Sequence, residues 1–448
     1  MKRLFGTDGI RGLSGQYPLT PKEVYRIGLS AGMVLRDHYK DGPIRVLLVR
    51  DTRESGSSLG RMLTDGLRDT GVDVFDVGVL CTPSVAYLVQ AHQFQSGVVI
   101  SASHNPPEFN GIKFFTRQGR KWPDVWEEAI ESHLTKTLKK PKGVEKGRLI
   151  PSPQLVEDYE SFLIKTLPHK LDLSKLRIGL DCSNGANYSV APQILRFLGA
   201  SVFVMGDKPT GKNINVRCGS QQTDRLGQLV RKKRCHVGVA FDGDGDRVIF
   251  TDEKGQVIDG DFIIGLLAKH LKSEKRLKNN KVVITVMSNL GLRMALVRLG
   301  VRIVETPVGD RYVSEAMRKN RAVLGGEQSG HIILGSYLPS GDGLLTALHV
   351  LAIVARARTP FSHIVGWMRK FPQTLVNVLV KERKPIPEMN GVQSKIDDIR
   401  NSLGQKGRIL VRYSGTEPLL RIMIEGPTKK IIDQYASELV TEIESTIN

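Results

Sequence analysis

Short apolar runs recur along this chain, and each is closed by a cluster of polar and glycine residues. Three stretches repeat these runs in one order. The first opens with "IRVLLVRDTRESG" (44–56), an apolar run that ends in a polar turn. A helical pattern follows, then "TGVDVFDVG" (70–78), "SGVVISASHNPPEFNG" (96–111) and "IKFFTRQG" (112–119). The second stretch runs "LRIGLDCSNGAN" (176–187), a helical pattern, "LGASVFVMG" (198–206), "CHVGVAFDGDGDR" (235–247) and "VIFTDEKG" (248–255). The third runs "KVVITVMSNLG" (281–291), a helical pattern, "LGVRIVETPVG" (299–309), "RAVLGGEQSGH" (321–331) and "IILGSYLPSG" (332–341). Each predicts strand, helix, strand, a third strand whose carboxyl end carries a polar loop, and a hairpin-like fourth strand. Strands alternating with helices predict mostly parallel sheets. Ligands bind at the carboxyl ends of strands in such sheets. The three repeated loops are therefore candidate parts of one shared site.

The tail departs from this order. "FPQTLVNVLVKERKPIP" (371–387) predicts a strand and a Pro/Lys/Arg-rich linker, and "RILVRYSGTEPLLRIMIEG" (408–426) two strands around a glycine-containing loop. Helical periodicity fills "KKIIDQYASELVTEIESTI" (429–447). The expected fold class is α/β: three related α/β domains with mixed, mostly parallel sheets, plus a smaller C-terminal α+β domain. The expected boundaries are 1–150, 151–255, 256–365 and 366–448.

Composition agrees with a soluble globular protein, since 40% of the 448 residues are hydrophobic and 25% charged. The cysteines Cys81, Cys182, Cys218 and Cys235 form no C-x-x-C pair, so neither a zinc site nor a disulfide framework is indicated. The first residues, "MKRLFGTDGIRG", lack the apolar stretch of a signal peptide, and no apolar run is long enough to span a membrane. A reducing, cytoplasmic setting without membrane attachment is expected. The charge is the unusual feature: 65 Lys and Arg against 46 Asp and Glu, a net +19. Such a balance attracts nucleic acid or anionic substrates. No RNA-binding aromatic signature or zinc-finger spacing accompanies it, so nucleic acid is not the expected partner and small anionic molecules are. A homo-oligomer stays open.

Chemistry concentrates in the loops. In "DGDGDR" (242–247), Asp242, Asp244 and Asp246 stand at alternate positions, and the glycines permit a tight turn that converges them on a hard cation, Mg²⁺ or Ca²⁺ rather than zinc. With Glu253 they match EF-hand positions, but Arg247 replaces the required glycine and the flanks read as strands, which excludes that motif. Arg247 points to an anion held beside the metal. The serines of "SASHNPPEFN" (101–110) then become candidate carriers of a phosphoryl group, with His104 as the rival nucleophile. Arg412, Ser414, Gly415, Thr416 and Arg421 offer hydroxyls, backbone and guanidinium groups suited to a phosphate. Glu327, Ser329 and His331 offer groups for sugar hydroxyls, a phosphate or a proton. Arg11 and Lys113 supply cations for a moving phosphoryl group or for proton transfer.

The four motifs "SASHNP", "DGDGDR", "GEQSGH" and "RYSGTEPLLR", in this order over nearly the whole chain, resemble those of the α-D-phosphohexomutase superfamily. "FGTDGIRG", "VGDRYV" and "GGEQSGH" look most like its bacterial branch acting on glucosamine phosphates. The resemblance implies four domains, Ser103 as a phosphoserine, and one Mg²⁺ held by Ser103, Asp242, Asp244 and Asp246. It implies interconversion of glucosamine 6-phosphate and glucosamine 1-phosphate through a 1,6-bisphosphate, feeding UDP-N-acetylglucosamine. Glucosamine or glucose 1,6-bisphosphate is the activator it suggests. The sibling reading is a phosphomannomutase or phosphoglucomutase on the same scaffold. The resemblance places Arg11 and Lys113 in acid–base work; His104 and Arg247 remain catalytic candidates from their positions in the motifs, His104 shaping the serine loop. Loop 412–421 would hold the stationary phosphate, with Glu327, Ser329 and His331 on the sugar. Closure of the fourth domain about 366–371 is expected, because water would waste the phosphoserine.

Overall fold

The computed structural model describes residues 4–6, 8–380, 382–413 and 419–447. The chain forms two compact units by contact. One comprises the residues up to 286 together with Val301–Gly366, the other Met287–Gly300 together with the residues from Trp367 onward.

The first unit contains three sheets that share one strand order. In the first sheet, Arg45–Arg50 lies between the parallel strands Asp73–Val79 and Ser96–Ile100, and Phe109–Thr116 pairs antiparallel with Ser96–Ile100. In the second, Arg177–Asp181 lies between Ser201–Met205 and Val237–Phe241, with Val248–Thr251 antiparallel beyond. In the third, Lys281–Thr285 lies between Arg302–Thr306 and Leu324–Gly326, with Ile332–Leu334 antiparallel beyond. The order fourth–third–first–second thus occurs three times. Ser96–Ile100 and Val237–Phe241 are buried at every position, as central parallel strands covered on both faces must be.

The first sheet gains two strands that the apolar pattern does not announce. Ile10–Leu13 pairs antiparallel with Phe109–Thr116, placing Arg11 opposite Gly111, and Leu149–Pro151 adds to Asp73–Val79. One face of this sheet is covered by the helices Pro21–His38 and Gly56–Arg68. Val24, Ile27, Ala31, Leu59, Leu63 and Leu67 meet Val46, Leu48, Val98 and Ile100 in one core. The first helix starts where its sequence predicts: Thr20 accepts from the Glu23 amide at 3.3 Å, and Pro21 takes the first turn.

In the second unit, Leu419–Glu425 lies between Gln373–Leu379 and Arg408–Tyr413 in an antiparallel sheet. The helices Asn390–Leu403 and Lys429–Ile447 pack Val392, Ile396, Ile399, Ile432, Leu439 and Ile443 against it. The helix Leu290–Arg298 joins this unit although its flanking strands belong to the third sheet. Buried Glu425 ties it there, accepting from Asn289 Nδ2 at 2.8 Å, the Leu290 amide at 3.0 Å and Arg408 Nε at 2.5 Å.

Candidate active site

Strand order explains which loops meet. The first strand of each sheet lies between the second and the third, so its connection and that of the third leave in opposite directions. Such a switch point opens a crevice at the carboxyl ends. In the first sheet the turn after Arg45–Arg50 therefore stands beside the loop after Ser96–Ile100.

That adjacency builds the serine loop. The buried Arg53 guanidinium donates to the carbonyls of Ser103 (2.9 Å), Asn105 (2.8 Å), Phe109 (2.8 Å) and Pro106. Its Nε donates to Asp51 Oδ2 at 2.8 Å. Ser101 Oγ donates to the same carboxylate at 2.5 Å and accepts the Ser103 amide at 2.9 Å. Burial pushes the Asp51 carboxyl up, against the opposing pull of Arg53 and Ser101. Asn215, from the second sheet's loops, donates to the Ser103 and Asn105 carbonyls at 2.9 and 3.0 Å. Ser103 itself is fully buried and held at φ +53°, a left-handed conformation that costs a non-glycine residue roughly 1–2 kcal/mol. Local strain of this kind persists only where surrounding contacts over-determine it.

Ser103 Oγ donates to Asp242 Oδ2 at 2.6 Å and lies 3.4 Å from His104 Nδ1. Asp242, Asp244 and Asp246 are buried, and one carboxylate oxygen from each lies within 4.8 Å of the others. Asp244 Oδ2 accepts from Thr82 Oγ1 at 2.6 Å and Lys113 Nζ at 2.8 Å, while Asp242 Oδ1 accepts the Arg247 amide at 3.1 Å. Asp244 Oδ1 and Asp246 Oδ1 are buried without a hydrogen-bond partner. Burial, with the charges of Asp246 and Asp244, pushes Asp242 well up. Burial and Asp244 likewise raise Asp246. Burial acts the same way on Asp244, but Lys113 outweighs it and holds that carboxyl down. Three buried carboxylates, two with orphaned oxygens, are the donor set a hard divalent cation requires.

The metal loop touches the serine loop closely. A Cβ on Gly243 would stand 2.5 Å from the Ser103 carbonyl oxygen, so glycine permits this approach. Backbone bonds join the triad loop to its neighbours. The Thr82 amide donates to the Asp244 carbonyl at 2.8 Å and the Ala186 amide to the Gly243 carbonyl at 2.8 Å. A β-bridge pairs Arg247 with His331, which brings "GGEQSGH" to the same place.

A chain of alternating charges extends from the triad. Lys113 Nζ lies 2.8 Å from both Asp244 Oδ2 and Asp8 Oδ2; Lys121 Nζ bridges Asp8 Oδ1 (2.6 Å) and Asp310 Oδ2 (2.5 Å). Arg11 pairs with Asp8 and donates to Asn105 Oδ1 at 3.1 Å. Burial lowers Lys113, but Asp244 and Asp8 outweigh it and raise its pKa. Asp8 and Asp244 likewise raise Arg11 against burial. For Arg247, the three triad carboxylates and Glu327 overcome the burial cost and raise its pKa. His104 is pushed down to about 3 by burial and by the Arg247 and Arg11 charges, so it is neutral. Arg11 Nε, Arg247 Nε and His331 Nδ1 are buried without a hydrogen-bond partner. Orphaned donors beside orphaned carboxylates match a site that takes an anion and a cation together.

The structure therefore brings together Ser103, His104, Arg11, Lys113, Arg247, the three aspartates and His331. Glu327 is buried and accepts the Gly309 amide at 3.1 Å, whereas Ser329 is exposed. Arg412 stands directly opposite Arg421 across two antiparallel strands, and burial together with the Arg421 charge lowers the Arg412 pKa. Ser414, Gly415 and Thr416 lie outside the described residues. Sequence reasoning missed Arg53, Asp51, Thr82, Asn215, Asp8, Lys121 and Asp310. The turn "DTR" closing a first strand was the available signal for Asp51 and Arg53, because a strand end at a switch point is a site position.

Sequence models of the phosphoglucomutase/phosphomannomutase domains match in chain order. Domain I matches residues 2–141, domain II 157–255, domain III 259–371 and the C-terminal domain 375–442. A phosphoglucosamine mutase of Geotalea uraniireducens is 44% identical over 450 residues, covering 100% of this chain and 99% of that protein. One from Myxococcus xanthus is 42% identical over 452 residues, covering 100% and 98%. A crystal structure of a phosphoglucomutase/phosphomannomutase family protein from Burkholderia thailandensis superposes with a TM-score of 0.82 at 22% identity, covering 100% and 99%. An Aspergillus fumigatus N-acetylphosphoglucosamine mutase, solved with GlcNAc-6P and magnesium, has a TM-score of 0.68 at 17% identity, covering 99% and 96%. These two structures share the fold.

Proposed function

The chain belongs to the phosphoglucosamine mutase family, and we propose that it interconverts glucosamine 6-phosphate and glucosamine 1-phosphate with Ser103 as the phosphoryl carrier. The observation that carries this reading is Ser103 Oγ, buried and 2.6 Å from Asp242, beside buried carboxylate oxygens of Asp244 and Asp246 that accept no hydrogen bond. In the forward direction the phosphoryl group leaves phospho-Ser103 Oγ for the C1 hydroxyl of the 6-phosphate, and the sugar becomes a 1,6-bisphosphate. The hydroxyl proton passes to a neighbouring base or to the departing serine oxygen. The bisphosphate turns end for end, its 6-phosphoryl group moves to Ser103 Oγ while a proton passes from the serine side to O6, and glucosamine 1-phosphate leaves.

Ser103, Asp242, Asp244 and Asp246 would hold one Mg²⁺, and a bound Mg²⁺ supplies charge neutralisation to the moving phosphoryl group. Arg53 and Asn215 fix the serine loop by its carbonyls. Lys113 and Arg11 carry raised pKa values, which suits cations that stabilise the transferring group better than bases that accept its proton. Glu327, Ser329 and His331 are the sugar contacts of this reading, and the strand-end arginines Arg412 and Arg421 its phosphate contacts. The domain boundaries at 150, 255 and 365 and the movement of the fourth domain belong to the same proposal. A cytoplasmic setting is supported by four free, buried cysteines.

Peptide mass spectrometry on the purified protein, followed by assay of Ser103→Ala, tests the reading. Phosphate on Ser103 in part of the population and loss of turnover in the variant are expected. Full activity of Ser103→Ala would overturn it. Relative kcat/KM on glucosamine, glucose and mannose phosphates separates it from the sibling mutases.

A further inference from the structure

The helix Asp310–Asn320 is flanked by two adjoining cavities of about 450 and 490 Å³ that share Arg120, Ser314, Arg318, Ile333 and Pro339. The first reaches Lys121, Asp310 and His331, next to the charge chain of the candidate active site. The second lies at the opposite end of the third sheet. Lys278 and Asn279 precede Lys281–Thr285 there, and Ala322 and Val323 precede Leu324–Gly326. It is a separate place from the loops that hold Ser103 and the aspartates.

The chemistry of the second cavity is one-sided. Arg120, Lys278, Arg318 and Arg321 line it, and no carboxylate does. Among the described residues none of the four forms an ion pair. Arg311, two turns before Arg318 on the same helix, does so with Asp124 and with Glu127 at 2.7 Å. Arg120 is held below the usual guanidinium range by burial and by the charge of Arg318. The helix carboxyl end offsets part of this charge, but a macrodipole supplies only about half a unit. Four exposed cations on one cavity also exceed the charge of one phosphate monoester, about −1.5 to −2 at neutral pH. Apart from Asn279 and Ser314 the remaining wall is apolar, from Met317, Val323, Ile333 and Pro339.

We propose that this cavity binds the phosphate chain of a small-molecule polyphosphate, at a site distinct from the one that handles the sugar phosphate. The chemistry is shared by nucleoside triphosphates and inorganic polyphosphate. Since Arg120 follows a strand of the first sheet and the other three cations flank strands of the third, a bound polyphosphate ties the two sheets' surroundings together and stabilises the chain.

Titration calorimetry on the full chain, with EDTA at fixed ionic strength, tests this with tripolyphosphate, ATP and glucosamine 6-phosphate as probes. One tripolyphosphate or ATP is expected per chain, undiminished by saturating glucosamine 6-phosphate. Equal affinity for the two assigns recognition to the phosphate chain alone, and tighter ATP binding assigns a nucleotide. R318E/R321E is expected to weaken binding at least tenfold while mutase turnover without polyphosphate stays within about twofold. The single K278Q, on a surface turn, should weaken it severalfold if the double variant fails to fold. K232E/K233E, at the end of a helix in the second sheet's unit, should leave it unchanged. Absence of binding, displacement by glucosamine 6-phosphate, undiminished affinity in the cavity variants, or equal loss in K232E/K233E overturns the proposal. So does tighter binding of a single-stranded decanucleotide through the same residues.

Discussion

Arg53 bridges four carbonyls of one loop from a buried position, and a lysine there would keep the charge near Asp51 but not the planar fork. Arg53→Lys is therefore expected to lower kcat on the order of 100-fold, the cost of misplacing a reacting group by about an ångström, with KM little changed. Arg53→Met leaves the Asp51 carboxylate buried without its cation and should cost about 3–5 kcal/mol in denaturant unfolding. Wild-type kcat in Arg53→Lys would remove Arg53 from the positioning of Ser103. Gly243→Ala separates packing from backbone freedom, since Gly243 does not need a positive φ. The new methyl would meet the Ser103 carbonyl at 2.5 Å and Asn215 Nδ2 at 2.8 Å. It should cost about 1–3 kcal/mol and most of the activity, while circular dichroism stays native. An active, fully stable Gly243→Ala would mean that the two loops are not held as close as the structure places them.

At the scale of elements, the third-strand loops were legible because each carries its chemistry in consecutive residues: "SASHNP", "DGDGDR", "GEQSGH". Their partners were not. Arg53 lies fifty residues before Ser103, and Asn215 lies over a hundred after it; only the strand order makes them neighbours. The end of the "FGTDGIRG" segment lies in the edge strand Ile10–Leu13, whose pairing with Phe109–Thr116 delivers Arg11 beside the site. The triad loop yields a prediction of its own. Repulsion among three buried carboxylates is relieved by a divalent cation, so Mg²⁺ titrated into metal-free protein should raise Tm. At a hundredfold excess over Kd the gain is about 2.7 kcal/mol. Asp246→Asn should raise the metal-free Tm and reduce the Mg²⁺ response; a Tm indifferent to Mg²⁺ in both proteins would count against a metal there.

For the whole molecule, the half-buried His349 sets part of the pH dependence. His349 is pushed down to about 4 by burial, then by Arg276 and His270, against the opposing pull of Glu274; Arg356 and Tyr337 line the same cavity. Its folded pKa is below the unfolded value of about 6.5. Above pH 6.5 the ring is neutral in both states and its contribution is full. As pH falls from about 6.5 to 4 the unfolded chain takes up a proton that the folded chain refuses, and stability is lost. Asp181, pushed up to about 6 by burial, acts oppositely, adding stability as pH falls through 6. Comparing His349→Gln with the wild type isolates the histidine. The stability difference should shift toward the variant between pH 6.5 and 4, by on the order of 2 kcal/mol, and parallel curves would overturn it. Local order along the chain settled the helices and the strands other than Ile10–Leu13 and Leu149–Pro151, the threefold repeat and the residue types at the strand ends, because periodicity and turn chemistry act over a few residues. It did not settle which strand ends adjoin, that Leu290–Arg298 joins the C-terminal unit, or that Asp8 and Asp244 raise the pKa values of Lys113 and Arg11. Those depend on distances such as the 2.6 Å from Ser103 to Asp242, 139 residues apart, which exist only once the sheets are ordered and packed.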